Sequence, residues 1–356
     1  MSGAHAQFAP ITFADLSGWA SDDHASALRA FAVSAPRCCP ELSQACQDAL
    51  AALKADPAQA RRFFETHFTP HRVVHDRPQG LLTGYYEPEV AGSRVRDEVY
   101  RIPVYRRPPD LINLVDEAAR ATVGDGYTHL RRTAAGDVPY PTREDIETGA
   151  LAGQGLELFY LADPVDAFFM QVQGSGVIRL PDGDRVRITY DGKNGHPYTS
   201  IGRYLVDSGT LALQDVTLDA LGCWLRDDPE RGRRVMWQNA SYVFFRELVG
   251  DEAGAAKGVL NTPLVAGRSL AVDTSVHALG TPIYVAAPTL TTFDATGAPF
   301  QRLMIAHDVG SAIKGPERGD IYYGSGDDAG RRAGVTKHAG NFYALLPNPV
   351  PPDRTQ

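Results

Sequence analysis

Three aspartates, Asp273, Asp308 and Asp320, sit where apolar strand-like runs meet turns, and carboxyl groups are natural donors and acceptors of protons in acid–base chemistry. Asp308 closes the run Leu303, Met304, Ile305, Ala306 and enters a glycine-rich turn. Asp320 follows twelve residues later and opens Ile321 to Tyr323, while Asp273 follows Leu270, Ala271 and Val272 and precedes the turn Gly280, Thr281, Pro282. Carboxylates crowded at the ends of apolar strands are expected to raise each other's pKa, and a carboxylic acid kept neutral can act as a general acid. Each could equally cap a turn by bonding its backbone two residues on. Three such sites in so short a stretch, with Lys314 between two of them, favour a site. A divalent cation on the three oxygens is a further option, but no DxDxDG-like ligand run accompanies them, and neither metal nor cofactor is expected.

Two more segments are rich in polar groups. QVQGSGVI (171–178) carries Gln173, Gly174 and Ser175 at a bend, and YDGKNGHPYTSIG (190–202) carries Lys193 and Asn194 among glycines. This mixture suits sugar hydroxyls and acetamido groups, with Tyr85 and Tyr86 as stacking faces; the alternative is turn residues and packing tyrosines. Ser175 lacks the GxSxG elbow of a serine nucleophile, and the GSG turn leads into a strand rather than a helix, which weakens a phosphate site. His307 should point to the opposite strand face from Asp308, and His196, His277 and His338 lack metal-ligand spacing.

The elements that must position these groups are mostly strands. Helices are expected early: Ser21, Asp22 and Asp23 precede Leu28 and Phe31, and Asp56–Pro57 precedes Phe63, Phe64 and Phe68. Thr142 with Asp145 forms a capping box, Asp163–Pro164 starts another helix, and the Asp182–Gly183 turn joins the two strands of 177–190. From 241 on, short strands alternate with Gly/Pro turns, the texture of a closed or partly closed barrel. Composition is that of a globular protein of 356 residues, 43% hydrophobic and 22% charged, long enough for two domains. A net charge of −8 without a dense basic patch argues against nucleic acid as a partner. No apolar run reaches bilayer length, and MSGAHAQFAP shows no export signal. Cys46 recurs with Leu50 and Leu53 at helical spacing, as a buried thiol would; a bridge to Cys38 or Cys39 is open in an oxidising compartment.

The runs LTGYYEP (82–88), MQVQGSG (170–176), YDGKNGHPYTSIGRYL (190–205) and NASYVFF (239–245), together with the three-aspartate segment from Asp273 to Asp320, resemble the membrane-bound lytic murein transglycosylase A family. The resemblance implies a mainly β protein with a helical N-terminal segment: a double-psi β-barrel domain, a smaller inserted β-rich domain, and a substrate groove between them. The expected divisions are 1–89 (N-terminal helices and first barrel strand), 90–235 (insert), 236–346 (remaining barrel) and 347–356 (disordered tail). It further implies cleavage of the β-1,4 bond between N-acetylmuramic acid and N-acetylglucosamine in peptidoglycan, leaving a 1,6-anhydro end. By motif, the catalytic acid falls on Asp320, with Asp308 and Asp273 as supporting aspartates. The expected substrate contacts are Thr83, Tyr85, Tyr86, Gln173, Gly174, Ser175, Lys193, Asn194 and Lys314. A monomer acting on glycan strands in the periplasm is expected, with outer-membrane attachment and cell-wall synthesis or division proteins as candidate associations.

One acid suffices for such a reaction, because the sugar's own C6 hydroxyl attacks and the step is intramolecular. Two alternatives remain at this level. An inverting glycoside hydrolase would use Asp320 as acid and Asp308 as base, with room for water between them. A non-catalytic glycan-binding module would use the aspartates only to brace turns.

Overall fold

The computed structural model describes residues 6–37, 39–76, 80–114 and 127–349. Cys38 and residues 350–356 of the expected 347–356 tail lie outside the described residues, whereas Pro347 still pairs with Phe68 and Asn348 N–H donates to the His67 carbonyl. The chain divides into two compact units. Met1–Tyr85, Lys257–Gly324 and Val335–Gln356 form the first; Tyr86–Ala256 and Ser325–Gly334 form the second.

In the first unit, Asp23 caps the helix His24–Ser34 by accepting from Ser26 N–H. Asp56 and Gln59 cap Pro57–His67 reciprocally, with Pro57 at the first helical position. These helices bury Phe31, Phe63 and Phe64 against Phe68, Tyr284, Leu303, Ile305 and Leu345. In the helix between them, Ser43–Ala51, the buried face is Ala45, Cys46 and Ala49. Leu50 and Leu53 are exposed, contrary to their spacing: that small-residue face is the one that packs inward, and Leu53 lies past the helix end.

A mixed nine-stranded sheet organises this unit, in the order Gln7–Pro10, Phe68–Val74, Asn341–Pro347, Pro282–Ala287, Phe300–Asp308, Ser269–Ala271, Arg318–Ser325, Leu81–Glu87 and Lys337–His338. The order is open. Of the closed or partly closed barrel expected from the strand texture, closure is not formed by the pairing among the described residues, whose end strands are only four and two residues long.

The second unit holds a six-stranded sheet, Val243–Glu247, Arg185–Lys193, Ser175–Arg179, Glu89–Ser93, Glu157–Leu161 and Ile102–Tyr105. A three-stranded sheet joins Leu111–Asn113, His129–Thr133 and Gly136–Val138. Ile178 pairs with Val186 around the Asp182–Gly183 turn, where Gly183 adopts φ +94°. Thr142 and Asp145 cap one another, and Asp163 caps Pro164–Gln173. Val90, Val104, Phe159, Ile178, Ile188 and Phe245 form the core beneath the larger sheet. No helix among the described residues is long and apolar enough to cross a membrane.

Candidate active site

Ser269–Ala271 lies between Phe300–Asp308, to which it is parallel, and Arg318–Ser325, to which it is antiparallel. After a register shift that leaves His307 as the extra residue, Ala271 becomes the register partner of Asp308 on one side and of Asp320 on the other. Register partners share a sheet face, so two carboxyl groups flank a residue with only a methyl group. Two strand spacings set their backbones about 10 Å apart.

Leu81–Glu87 supplies donors to both. Thr83 and Tyr85, two residues apart, project to one face. The Thr83 hydroxyl donates to Asp320 Oδ1 at 2.5 Å, and the Tyr85 hydroxyl donates to Asp308 Oδ2 at 3.0 Å. Val259 N–H donates to the other Asp308 oxygen at 3.1 Å. Burial pushes the Asp308 carboxyl up to about 6, against the pull of these donors. Burial likewise raises Asp320, opposed by the Thr83 hydrogen bond and the Arg318 charge. The sequence suggested mutual repulsion as the cause. Desolvation by the surrounding strands dominates instead, and the charge of Asp320 is a minor contribution at Asp308. Tyr85, buried beside these acids, is held neutral well above its ordinary range by burial first and the Asp308 charge second.

Asp273 behaves differently. Its Oδ1 accepts from Ser275 N–H and Oγ–H, and its Oδ2 accepts from Gly315 N–H at 2.8 Å. Burial resists ionisation, but these bonds and Lys314 at 3.6 Å together hold its pKa below the ordinary value. Gly315 reaches it at φ +125°, a conformation that favours glycine. Asp273 thus ties its own turn to the loop leading into Asp320. Among the described residues, no three His, Cys, Asp or Glu side chains gather as a cation site. His307 is buried between Ser34 and Ser269, its ring nitrogens 2.8 and 2.7 Å from their hydroxyls, and burial lowers it to about 4.

The first unit therefore brings together Thr83, Tyr85, Asp308 and Asp320, with Asp273 and exposed Lys314 on the adjoining loops. Tyr86, Gln173, Gly174, Ser175, Lys193 and Asn194 belong to the second unit. There the Gln173 side chain accepts from Tyr86 N–H at 3.1 Å, and Gly174 ends the helix at φ +81°. Ser175 is buried opposite Thr189. Asn194 is fully buried: its amide donates to Pro141 and Ala240 carbonyls and accepts from Tyr242 N–H. That pattern is a clamp on three segments of backbone. Lys193 pairs with Val243 at the end of its strand. Tyr85, only 9% exposed, packs its ring on Tyr322, whereas Tyr86 is half-buried over Gly330, where any Cβ would come within 2.7 Å of its ring.

Sequence reasoning missed three features. Ala271 owes its importance to register. Val259 acts through its backbone. Glu87, fully buried, holds Arg187 Nε with both oxygens and accepts from Ser325 Oγ; its place in GYYEP was the available signal.

Residues 81–246 match the MltA specific insert domain, and residues 268–346 match the 3D domain. The membrane-bound lytic murein transglycosylase A of Vibrio cholerae is 34% identical over 288 residues, covering 78% of this chain and 70% of that protein. The crystal structure of a membrane-bound lytic murein transglycosylase from Agrobacterium tumefaciens superposes with a TM-score of 0.87 at 40% identity, over 96% of this chain and 98% of the other. The E. coli MltA structure with bound chitohexaose gives 0.70 at 30% identity, over 98% and 94%. With both domains matched in order and these identities sustained along its length, this chain belongs to the membrane-bound lytic murein transglycosylase A family.

Proposed function

We infer that this protein is a peptidoglycan lytic transglycosylase in which Asp320 is the single acid and base. It cleaves the β-1,4 bond between N-acetylmuramic acid and N-acetylglucosamine. Neutral Asp320 protonates the glycosidic oxygen as the bond to C1 breaks. The C6 hydroxyl of the muramic acid residue then closes on C1, and ionised Asp320 takes its proton, leaving a 1,6-anhydro end. The observation that carries this reading is a buried carboxyl biased toward its neutral form within the strand Arg318–Ser325, with one oxygen committed to Thr83.

The backbone spacing across Ala271 would also suit an inverting hydrolase, whose carboxyl groups stand roughly 6.5–9.5 Å apart. Asp308 is a poor base for that role, because both of its oxygens are already engaged by Tyr85 and Val259. It serves instead to tune Asp320, and Asp273 fixes the turn. Tyr86, Gln173 and Lys193 are assigned to sugar contacts, while Asn194 is assigned to the frame. The insert, read from sequence as 90–235, extends in this assignment to residue 256, supported by the pairing of Val243–Glu247 with Arg185–Lys193. The double-psi barrel is assigned to the mixed nine-stranded sheet. Envelope association follows from the membrane-bound relatives, and the periplasm, where glycan strands lie, is the proposed compartment.

Digestion of purified sacculi followed by mass analysis of muropeptides tests the reaction. Wild-type protein should release products lighter by one water than hydrolytic ones. Asp320→Asn should keep the fold and bind glycan but lose activity by more than the roughly 10²–10⁴-fold attached to one proton transfer. Hydrolytic products, or turnover by Asp320→Asn, would overturn the assignment.

A further inference from the structure

We propose that Thr83 is the positioning residue that decides which oxygen of Asp320 carries the reactive proton. This rests on Asp320 being the acid. The Thr83 Oγ1–H donates to Oδ1 at 2.5 Å, and an oxygen that accepts so close a donor is the carbonyl-like one of a neutral carboxyl. The acid's proton therefore resides on Oδ2, the oxygen left for the leaving group.

Thr83 is well built for this. Its β-branched side chain has few χ1 choices. The strand that carries it is fixed by Leu82, fully buried on the opposite face, by Tyr85 tied to Asp308, and by backbone pairing with Lys337. The charged and titratable groups around Asp320 are Arg318 on its own strand, Tyr85 on the adjacent strand Leu81–Glu87, Asp308 one strand further across Ala271, and Lys337 across from Thr83. All of them remain when Thr83 alone is changed. Losing the donor frees the carboxyl to turn about its last torsion and removes a hydrogen bond that favours the ionised form.

The test compares Thr83→Val, Thr83→Ser and Asp320→Asn for kcat and KM on isolated glycan strands across pH. Melting temperature and a carboxyl 13C titration of Asp320 are measured in parallel. Thr83→Val should lower kcat about 10–100-fold with KM nearly unchanged, as misplacement of a catalytic group does. Its alkaline limb and the Asp320 13C midpoint should both move to higher pH, because the lost hydrogen bond favoured the ionised form. Thr83→Ser should restore both. Should Thr83→Val fail to fold, Thr83→Ala against Thr83→Ser carries the same comparison. A raised KM with an unmoved alkaline limb and 13C midpoint would make Thr83 a substrate contact and overturn the inference while leaving Asp320 as the acid. Activity in Asp320→Asn would instead remove the reading on which the inference rests.

Discussion

Replacing Asp308 by Asn should make this protein more stable at neutral pH while lowering its activity. Burial lifts the Asp308 carboxyl from 3.8 to about 6. Between those values the folded chain binds more protons than the unfolded one, so stability falls as pH rises through that window and is level above it. A shift of that size corresponds to about 3 kcal/mol if fully expressed, and the carboxyl's partial solvent contact reduces it to about 1–3 kcal/mol. An asparagine side chain here would be neutral throughout and of nearly the same volume. Its oxygen can accept from Val259 N–H, and its NH₂ can donate to the Tyr85 hydroxyl oxygen, so both neighbours keep a hydrogen bond, although the Tyr85 hydroxyl proton loses its carboxylate acceptor. Urea unfolding of both proteins at pH 3.5, 5, 6 and 7.5 measures the difference. The two should match near pH 3.5 and separate progressively, with Asp308→Asn the more stable by about 1–3 kcal/mol at pH 7.5. Its activity should fall, though less completely than that of Asp320→Asn. Equal stabilities across the range, or a less stable Asp308→Asn variant at pH 7.5, would refute the claim that the native fold bears a desolvated charge at this position.

Two further substitutions separate framework from chemistry. Asp273→Ala removes the acceptor for Gly315 N–H, Ser275 N–H and Ser275 Oγ–H and should cost about 2–4 kcal/mol at pH 7. Because the folded pKa lies below 3.8, that contribution is complete above the unfolded value and should shrink as pH falls through the folded one, which unfolding at pH 7 and pH 2.5 will show. Arg187→Met leaves the fully buried Glu87 with the Ser325 hydroxyl but without its cation and should cost about 3–5 kcal/mol. Adding Glu87→Leu to Arg187→Met should recover much of that loss in thermal unfolding, and no recovery would count against the stranded-charge explanation.

The aspartates were legible in the sequence because each interrupts an apolar run, and that signal is local. Caps were legible for the same reason: Asp56–Pro57, Thr142 with Asp145, and Asp163–Pro164 all start helices. The join between Asp308 and Asp320 was not, since it depends on Ala271 pairing with both, and register is a property of strands distant in sequence. Polar loop composition misled in a different way. Asn194 among glycines reads the same whether its amide meets a sugar or, as here, two carbonyls and an N–H. Gly195 carries the same ambiguity; its φ of +86° and a would-be Cβ 2.2 Å from the His129 carbonyl oxygen make it a packing requirement. Tyr85 and Tyr86, adjacent and chemically alike, separate only through strand alternation, which sends Tyr85 to Asp308 and leaves Tyr86 over Gly330.

Three carboxyl groups of identical intrinsic acidity thus acquire three different states from their neighbours. Asp273 is given enough donors and a nearby lysine to outweigh its burial, and is ionised. Asp308 is given a tyrosine and the N–H groups of Val309 and Val259, which do not outweigh burial, and it is pushed up to about 6. Asp320 is given a threonine hydroxyl and a partly buried arginine and remains biased toward its neutral form. Asp273 and Asp308 accept comparable numbers of hydrogen bonds, so the difference lies in how far those donors, with Lys314 beside Asp273, offset desolvation, which is the largest cause at all three. It also follows that adding a single donor near Asp320 would make it a weaker acid–base catalyst at neutral pH, by stabilising the carboxylate before it has a proton to give. The small side chain at Ala271 keeps such a donor out of the row.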